Sequence, residues 1–400
     1  MRAGIVPCAH GGAPRRWRRS WRGKTHMRED GAPPDGAGKV VLRRGGIVES
    51  EHRIHGVVTD GGGTILARFG DAERPVFLRS AAKPFQAIPL VADGAADRFR
   101  LSSGELAVTC GSHGGEEGHV ETVARLLDRG GFAVSDLACG SHPPMHGPSA
   151  RRLQEAGTAP GRVHNNCSGK HAGMLLLARH HGWPTEGYHE EGHPVQERMA
   201  REVAHWMDLP EEAMGRGVDG CGVVCFTAPL RALARGFAAL MSAGEGERDD
   251  PPEAGGRGEA ARRVVAAMRE HPFQVAGSGR LCTALMEAGG RNLVAKVGAE
   301  GVYGAAFSGP RGPVGVAMKV EDGARRAVEA ALVEVLRRLG ALDGVGVEGM
   351  RALDPWLHPV VANTRGEPAA VLEVQLSVGE AAIAGAVGRK VAGKVTGCGG

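Results

Sequence analysis

The chain has 400 residues, a net charge of +4, 64 glycines and 4% aromatic residues, enough for one large domain or two ordinary ones. Its charge is uneven, because residues 1–45 hold eleven Lys or Arg against three Asp or Glu, which leaves the remainder at −4. A mildly acidic body without a basic stripe predicts no nucleic-acid binding. Since the sequence has no run of 18 apolar residues, no membrane-spanning helix is expected.

Both ends of the chain are predicted to be tails. Residues 1–45 are rich in Arg, Pro and Gly without a hydrophobic period, and we expect a disordered basic tail there. Residues 383–400 are predicted to form a glycine-rich tail, which places the main folded domain in residues 46–382. No apolar segment follows the early arginines, so we expect no secretory signal, a cytoplasmic location and reduced cysteines. Met27 offers an alternative start.

The elements between these tails predict an α+β fold. A hairpin is expected over residues 54–69, followed by a helix over residues 81–90. Further helices are predicted over residues 117–129, 172–179, 194–207, 227–243, 259–270, 279–288 and 324–339. Further strands are predicted over residues 218–226, 293–297, 302–307, 314–319 and 370–375. This order predicts one antiparallel sheet from distant segments, flanked by helices, plus a mostly helical region.

A serine and a lysine at the start of the first predicted helix form the first chemical motif. Ser80 and Lys83 are three residues apart, so they share a helical face and the amine is expected to reach the hydroxyl. A neutral lysine can remove the hydroxyl proton and make the serine a nucleophile. The spacing is also that of the S-x-x-K motif of penicillin-binding proteins and serine β-lactamases. Four residues of common type also match by chance, and a serine near a helix start with an exposed lysine is the simpler interpretation.

Two further clusters accompany this pair. Ser112 lies between glycines in residues 111–116, where it and the backbone N–H groups suit an oxyanion or, more simply, the start of a helix. In residues 165–171, Cys167 combined with Cys221 or Cys225 would supply the thiolates that zinc prefers, with His171 as a third ligand. No two of these cysteines have the tight spacing of a zinc knuckle, so spacing alone leaves the metal open.

Two charged residues also stand in unusual places. Asp219 lies at a strand end beside a glycine, where it could receive a substrate ammonium or could be a turn residue. Lys296 lies inside an otherwise apolar predicted strand. A lysine in that setting must be paired or have a lowered pKa, which is often functional.

Together these segments resemble a known family. The resemblance is carried by residues 77–86, 109–113, 164–174, 218–222, 271–278 and 296–302. They look like the rhizobial-type, thermolabile (class 3) L-asparaginases of the asparaginase II family, over about residues 46–340. The resemblance implies a fold similar to serine β-lactamases and penicillin-binding proteins, a homodimer, and hydrolysis of L-asparagine to L-aspartate and ammonia.

The resemblance also implies roles for individual residues. The nucleophile and its partner base correspond to Ser80 and Lys83, and a second serine–lysine pair to Ser112 and Lys296. A zinc ion beside the pocket would be held by Cys167, Lys170 and Cys221. The positions matching the substrate pocket are Arg79, His171, Asp219 and Cys282.

The mechanism we expect is a double displacement. Neutral Lys83 takes the Ser80 proton, Ser80 attacks the side-chain amide of asparagine, ammonia leaves, and water hydrolyses the aspartyl ester. Lys296 and the zinc are expected to lower the pKa of Lys83, because nearby positive charge disfavours the protonated amine.

Three alternatives remain open. A glutaminase differs from an asparaginase by one methylene of substrate. A β-lactamase-like serine hydrolase is favoured by S-x-x-K, but Lys296-Val297-Gly298 stands where a Lys-Thr-Gly strand is expected. A non-catalytic zinc-binding protein would bind metal without releasing ammonia.

Overall fold

The structure is a computed structural model that describes residues 36–246, 256–376 and Gly388. The predictions for residues 1–35, and for the glycine-rich tail apart from Gly388, therefore lie outside the described residues.

The described strands form two antiparallel sheets. In chain order they are β1 (Gly38–Arg44), β2 (Ile47–Asp60), β3 (Ile65–Phe69), β4 (Pro75–Phe77), β5 (Arg216–Val218), β6 (Val224–Pro229), β7 (Leu293–Gly298), β8 (Val302–Gly309), β9 (Gly312–Val320), β10 (Val360–Ala362) and β11 (Pro368–Gln375). The larger sheet has the order β10-β11-β1-β2-β9-β8-β7, with β3 also paired to β2, and the smaller one has the order β4-β6-β5. The larger sheet thus joins the two ends of the described chain.

The described helices fill the middle of the chain and flank the larger sheet. They are α1 (Lys83–Ala92), α2 (Ala95–Arg98), α3 (Ser103–Thr109), α4 (Glu117–Gly130), α5 (Gly147–Glu155), α6 (Ser168–His181), α7 (Pro194–Met207), α8 (Leu230–Gly244), α9 (Arg257–Glu270), α10 (Pro272–Val275), α11 (Leu281–Gly289), α12 (Arg325–Leu339) and α13 (Val347–Leu357). This arrangement confirms the predicted α+β layout. None of the helices in the described ranges has the length and apolar character needed to cross a bilayer.

The first strand corrects the predicted start of the folded domain. We expected a tail as far as residue 45, but Gly38–Arg44 form β1, which pairs with β2 on one side and β11 on the other. The apolar run 40–42 is buried in this strand. A seven-residue strand gives too short a pattern to be recognised beside a basic tail. Its two partner strands, β2 and β11, are also far from each other in the sequence.

Helix α1 carries the serine–lysine motif into the core. Nine of its ten residues, Lys83 to Val91, are buried, so the helix has no solvent face. Pro84 suits the first turn, where a missing N–H costs nothing. The helix packs against α6, α7 and α9. The buried Lys83 amine must therefore form its hydrogen bonds with groups inside the protein.

A close helix–sheet contact fixes the strands that lead to Lys296. Helix α8 packs on β2, β8 and β9. At Gly315 of β9, a Cβ atom would lie 2.0 Å from the carbonyl oxygen of Ala234, so only glycine allows this approach. Since β9 pairs with β8 and β8 with β7, the same packing sets the position of Lys296 on β7.

Candidate active site

Ser80 lies in a 3₁₀ turn, Arg79–Ala82, between β4 and α1. The preceding residue, Arg79, has a φ of +50°, in the left-handed region that costs energy for residues other than glycine. Its guanidinium is held by the Asp219 carboxylate, with Nε 2.8 Å and Nη2 2.7 Å from Oδ1. This ion pair therefore joins the Ser80 turn to the β5–β6 turn.

The ion pair also keeps both groups charged. Burial by itself lowers the pKa of Arg79, but the Asp219 carboxylate raises it and the net shift is upward. Burial likewise raises the pKa of Asp219, whereas Lys170 and Arg79 lower it, and the net shift is downward. The predicted pocket positions Arg79 and Asp219 are thus brought together. Arg79 and the backbone N–H of Gly220 both contact Oδ1 of Asp219, which leaves Oδ2 for a cationic ligand.

The expected contact between Ser80 and Lys83 is not made. The Ser80 side chain is half-buried, and its Oγ has no hydrogen bond within the described residues. Lys83 Nζ is buried and donates to the carbonyl oxygen of Gly111, to Ser112 Oγ at 3.0 Å and to Cys167 Sγ at 3.2 Å. These acceptors come from loops that sequence spacing alone does not place near the helix. The role of Ser80 and Lys83 as a nucleophile and its base stays a prediction.

The second predicted pair, Ser112 and Lys296, is in direct contact. Lys296 Nζ lies 2.9 Å from Ser112 Oγ, so this hydroxyl accepts hydrogen bonds from two lysines. Ser112 follows α3, and its backbone N–H donates to the carbonyl oxygen of Val275 over 2.8 Å, which fixes the loop. Ser112 is 4% exposed and Lys296 is fully buried. The hydroxyl is thus held in a buried site between two amines.

Burial lowers the pKa of Lys296 to about 7, and the charges of Lys83 and Arg280 add to this effect while Cys282 opposes it. Near neutral pH a large share of the Lys296 amines is therefore uncharged. An uncharged amine at hydrogen-bond distance from a hydroxyl can accept its proton. Lys296, the Ser112 hydroxyl and Lys83 thus form a hydrogen-bonded chain along which a proton can pass.

The predicted zinc ligands form a second cluster that touches the first. Lys170 Nζ donates to Cys221 Sγ at 3.3 Å, and Lys83 connects Cys167 to Ser112. The Cys167 thiol donates to Cys221, which lowers the pKa of Cys221 to about 4 and, with burial, raises that of Cys167 to about 12. Of the two thiols, Cys221 thus loses its proton more readily, and it faces the Lys170 amine.

This donor set fits zinc chemically. Thiolate sulfur is a preferred zinc ligand, and Cys167, Cys221 and Lys170 bring two sulfurs and one nitrogen together. The described residues contain no group of three His, Cys, Asp or Glu side chains that could hold a metal, so the Lys170 nitrogen would have to complete the set. Burial lowers the pKa of Lys170, but Cys221 and Cys167 raise it by more. Metal binding would thus have to displace a proton from Lys170.

The remaining pocket positions are held by two tyrosines that the sequence analysis did not single out. His171 Nδ1 lies 2.6 Å from the hydroxyl of Tyr188, and Cys282 Sγ lies 2.9 Å from the hydroxyl of Tyr303. Cys282 also accepts a hydrogen bond from the backbone N–H of Val297, next to Lys296. Both tyrosines are isolated in the sequence, and no motif or spacing connects them with their partners.

Two cavities occur elsewhere in the described residues. The structure describes a cavity of about 130 Å³ next to Trp206 and Arg235 and one of about 190 Å³ next to Leu106 and Arg263. Neither of these two cavities is lined by the residues of the candidate site.

Comparisons with known proteins identify the class and then the family. A family model described as L-asparaginase II matches residues 40–374. This match supports amidohydrolase activity, and the chain belongs to the L-asparaginase II family. No significant match to a curated protein sequence was found.

Solved structures give weaker matches. A crystal structure of Mglu is 19% identical, with 75% of this chain and 67% of that chain covered and a TM-score of 0.31. In another Mglu structure the alignment covers 60% of that chain, at 18% identity and a TM-score of 0.31. A beta-lactamase candidate from Bacteroides dorei DSM 17855 is 15% identical, with 73% of this chain and 86% of that chain covered and a TM-score of 0.32. TM-scores this low support no conclusion about activity.

Proposed function

We propose that this protein hydrolyses the side-chain amide of L-asparagine to L-aspartate and ammonia through a serine nucleophile activated by lysines. The observation that carries the proposal is the position of Ser112 Oγ, 3.0 Å from Lys83 Nζ and 2.9 Å from Lys296 Nζ. Two lysine amines linked through the Ser112 hydroxyl, one of them with a pKa near neutrality, can supply the base that activates a serine without histidine. Membership of the L-asparaginase II family supports the choice of an amide substrate.

In this proposal the two serines have different tasks. Ser80 attacks, because its half-buried side chain is open to a substrate and Arg79 fixes the turn that carries it. Ser112 passes a proton, because it is 4% exposed and both lysines already contact its oxygen.

The proton balance follows from this division. Lys83 gives a proton to Ser112 Oγ while the Ser112 hydroxyl gives its own to neutral Lys296. Neutral Lys83 then turns to Ser80 and removes its proton as the bond from Oγ to the amide carbon forms. Contacts of this kind often tighten only when substrate is bound. The proton on Lys83 leaves with ammonia, and water attacks the aspartyl ester with Lys83 again as the base.

Substrate binding and the metal complete the proposal. Asp219 keeps its charge and has a free oxygen for the substrate ammonium. Cys167, Lys170 and Cys221 would hold a zinc ion. When bound, this ion would supply a positive charge that orients the substrate.

Ammonia release tests the proposal. The wild type should release ammonia from asparagine, Ser80→Ala should lose this activity, and Ser135→Ala, an exposed serine, should keep it. A clear preference for glutamine would favour the glutaminase alternative. Release from neither substrate by a protein that binds zinc would favour the non-catalytic alternative.

A further inference from the structure

His171 has one ring nitrogen that the protein does not satisfy. The side chain is fully buried, one helical turn after Cys167 in α6. Its Nδ1 bonds Tyr188, whereas its Nε2 has no hydrogen-bond partner in the described part of the chain. A buried polar atom without a partner is costly, so a structure that keeps one is often prepared for a ligand.

The surroundings of Tyr188 decide which nitrogen of His171 carries the proton. The backbone N–H of Ala138 donates to the Tyr188 hydroxyl oxygen over 2.8 Å. The hydroxyl proton is then free to point to His171 Nδ1, 2.6 Å away. This choice satisfies both the hydroxyl and Nδ1, and it leaves Nε2 as an N–H donor. The opposite tautomer would leave the Tyr188 proton and the Nε2 lone pair without partners.

We propose that Tyr188 is a positioning residue that holds His171 as an Nε2–H donor for a carboxylate of the substrate. The proposal rests on the function proposed above, because that function supplies a substrate with an α-carboxylate. Asp219 would bind the ammonium of the same amino acid, so a carboxylate and the His171 N–H would hold the two ends of the substrate's backbone. Tyr188 itself touches neither the substrate nor the reacting atoms.

The first test is spectroscopic and needs no activity. In protein labelled with ¹⁵N-histidine, the signals of His171 are assigned by their absence in His171→Gln. The wild type should show a protonated Nε2 and an unprotonated Nδ1 at His171. A protonated Nδ1 would overturn the proposal, and this readout does not depend on whether any variant of Tyr188 folds.

The second test is a double-mutant cycle on KM for asparagine. Tyr188→Phe should raise KM about five- to tenfold, the loss of one oriented hydrogen bond to a charged group, with little change in kcat. In the His171→Gln background the same change should have no further effect, since the glutamine amide donates in either case. Thr122→Val, which removes another buried hydroxyl bond, should leave KM unchanged. An equal rise in KM in both backgrounds would refute the positioning role.

The two proposals fail in different ways. If the wild type releases no ammonia from asparagine, the proposed function fails while the tautomer measurement still decides the state of His171. If the wild type is active but Tyr188→Phe leaves KM and the His171 signals unchanged, only the positioning role of Tyr188 is wrong.

Discussion

Replacing Lys296 with methionine should inactivate the enzyme and stabilise it at low pH. Lys296 is fully buried, and its pKa falls from 10.5 to about 7. That difference corresponds to about 5 kcal/mol for holding the charged amine in the folded protein. Methionine removes this cost, but it also removes the bonds to Ser112 and to the Val297 carbonyl oxygen, worth about 1–3 kcal/mol. At pH 6, Lys296→Met should therefore be more stable by about 2–4 kcal/mol.

The sign of the pH dependence follows from the lowered pKa. Between pH 7 and 10.5 the unfolded chain binds more protons at this lysine than the folded protein, so the stability of the wild type rises with pH. The advantage of the methionine variant should thus fall to about zero near pH 9, where the remaining cost of about 2 kcal/mol matches the lost bonds. Denaturant unfolding of both proteins at pH 6, 7.5 and 9 measures this convergence.

Activity gives the second half of the test. The kcat/KM of the wild type should rise as the pH passes through about 7, because Lys296 must be neutral to accept a proton. Lys296→Met should lose about 100-fold or more of this activity and the pH limb with it. Lys296→Arg, which keeps a permanent buried charge, should be inactive and less stable throughout. Full activity of the methionine variant, or a stability difference that does not vary with pH, would refute the role of Lys296.

The other predictions concern the relay, the metal and substrate binding. Ser112→Ala should lower kcat about 100-fold, measured by ammonia release, because the proton path from Lys83 is cut; unchanged kcat would exclude the relay. Elemental analysis should find about one zinc ion per chain, and less in Cys167→Ser. Zinc should be released on acidification, because Lys170 regains its proton. An active enzyme without metal would contradict the zinc site. Asp219→Asn should raise KM for asparagine about tenfold or more through the lost charge, and an unchanged KM would place the ammonium elsewhere.

The sequence predicted the elements that have a local pattern. The helices around residues 117–129 and 194–207 agree with α4 and α7, and the strands from 293 to 319 with β7, β8 and β9. The predicted strand over residues 218–226 is instead divided by a turn between β5 and β6, because Gly220 and Gly222 interrupt it. Strand β1 was missed, since its seven residues adjoin a basic tail and one of its two partners, β11, lies at the other end of the described chain.

For the site, sequence motifs indicated the residue types but not their contacts. The family resemblance selected Ser112 and Lys296, which the fold brings together. It did not indicate that Lys83 bonds Ser112 rather than Ser80, because that contact depends on the loop that follows α3. Tyr188 could not be found from spacing, since its partner His171 lies on another element. The homodimer stays a prediction of the resemblance, and the cytoplasmic location stays a prediction from the sequence of the first residues.

Identification of the acylated serine tests the central claim most directly. Enzyme quenched in acid during turnover of asparagine and digested with trypsin can be searched by mass spectrometry for an aspartyl ester. Ser80 and Ser112 fall in different peptides, because Arg98 and Arg100 lie between them. The account predicts the ester on Ser80, and none in Ser80→Ala. An ester on Ser112 would contradict the assignment of the nucleophile, and turnover without an ester on either serine would contradict covalent catalysis.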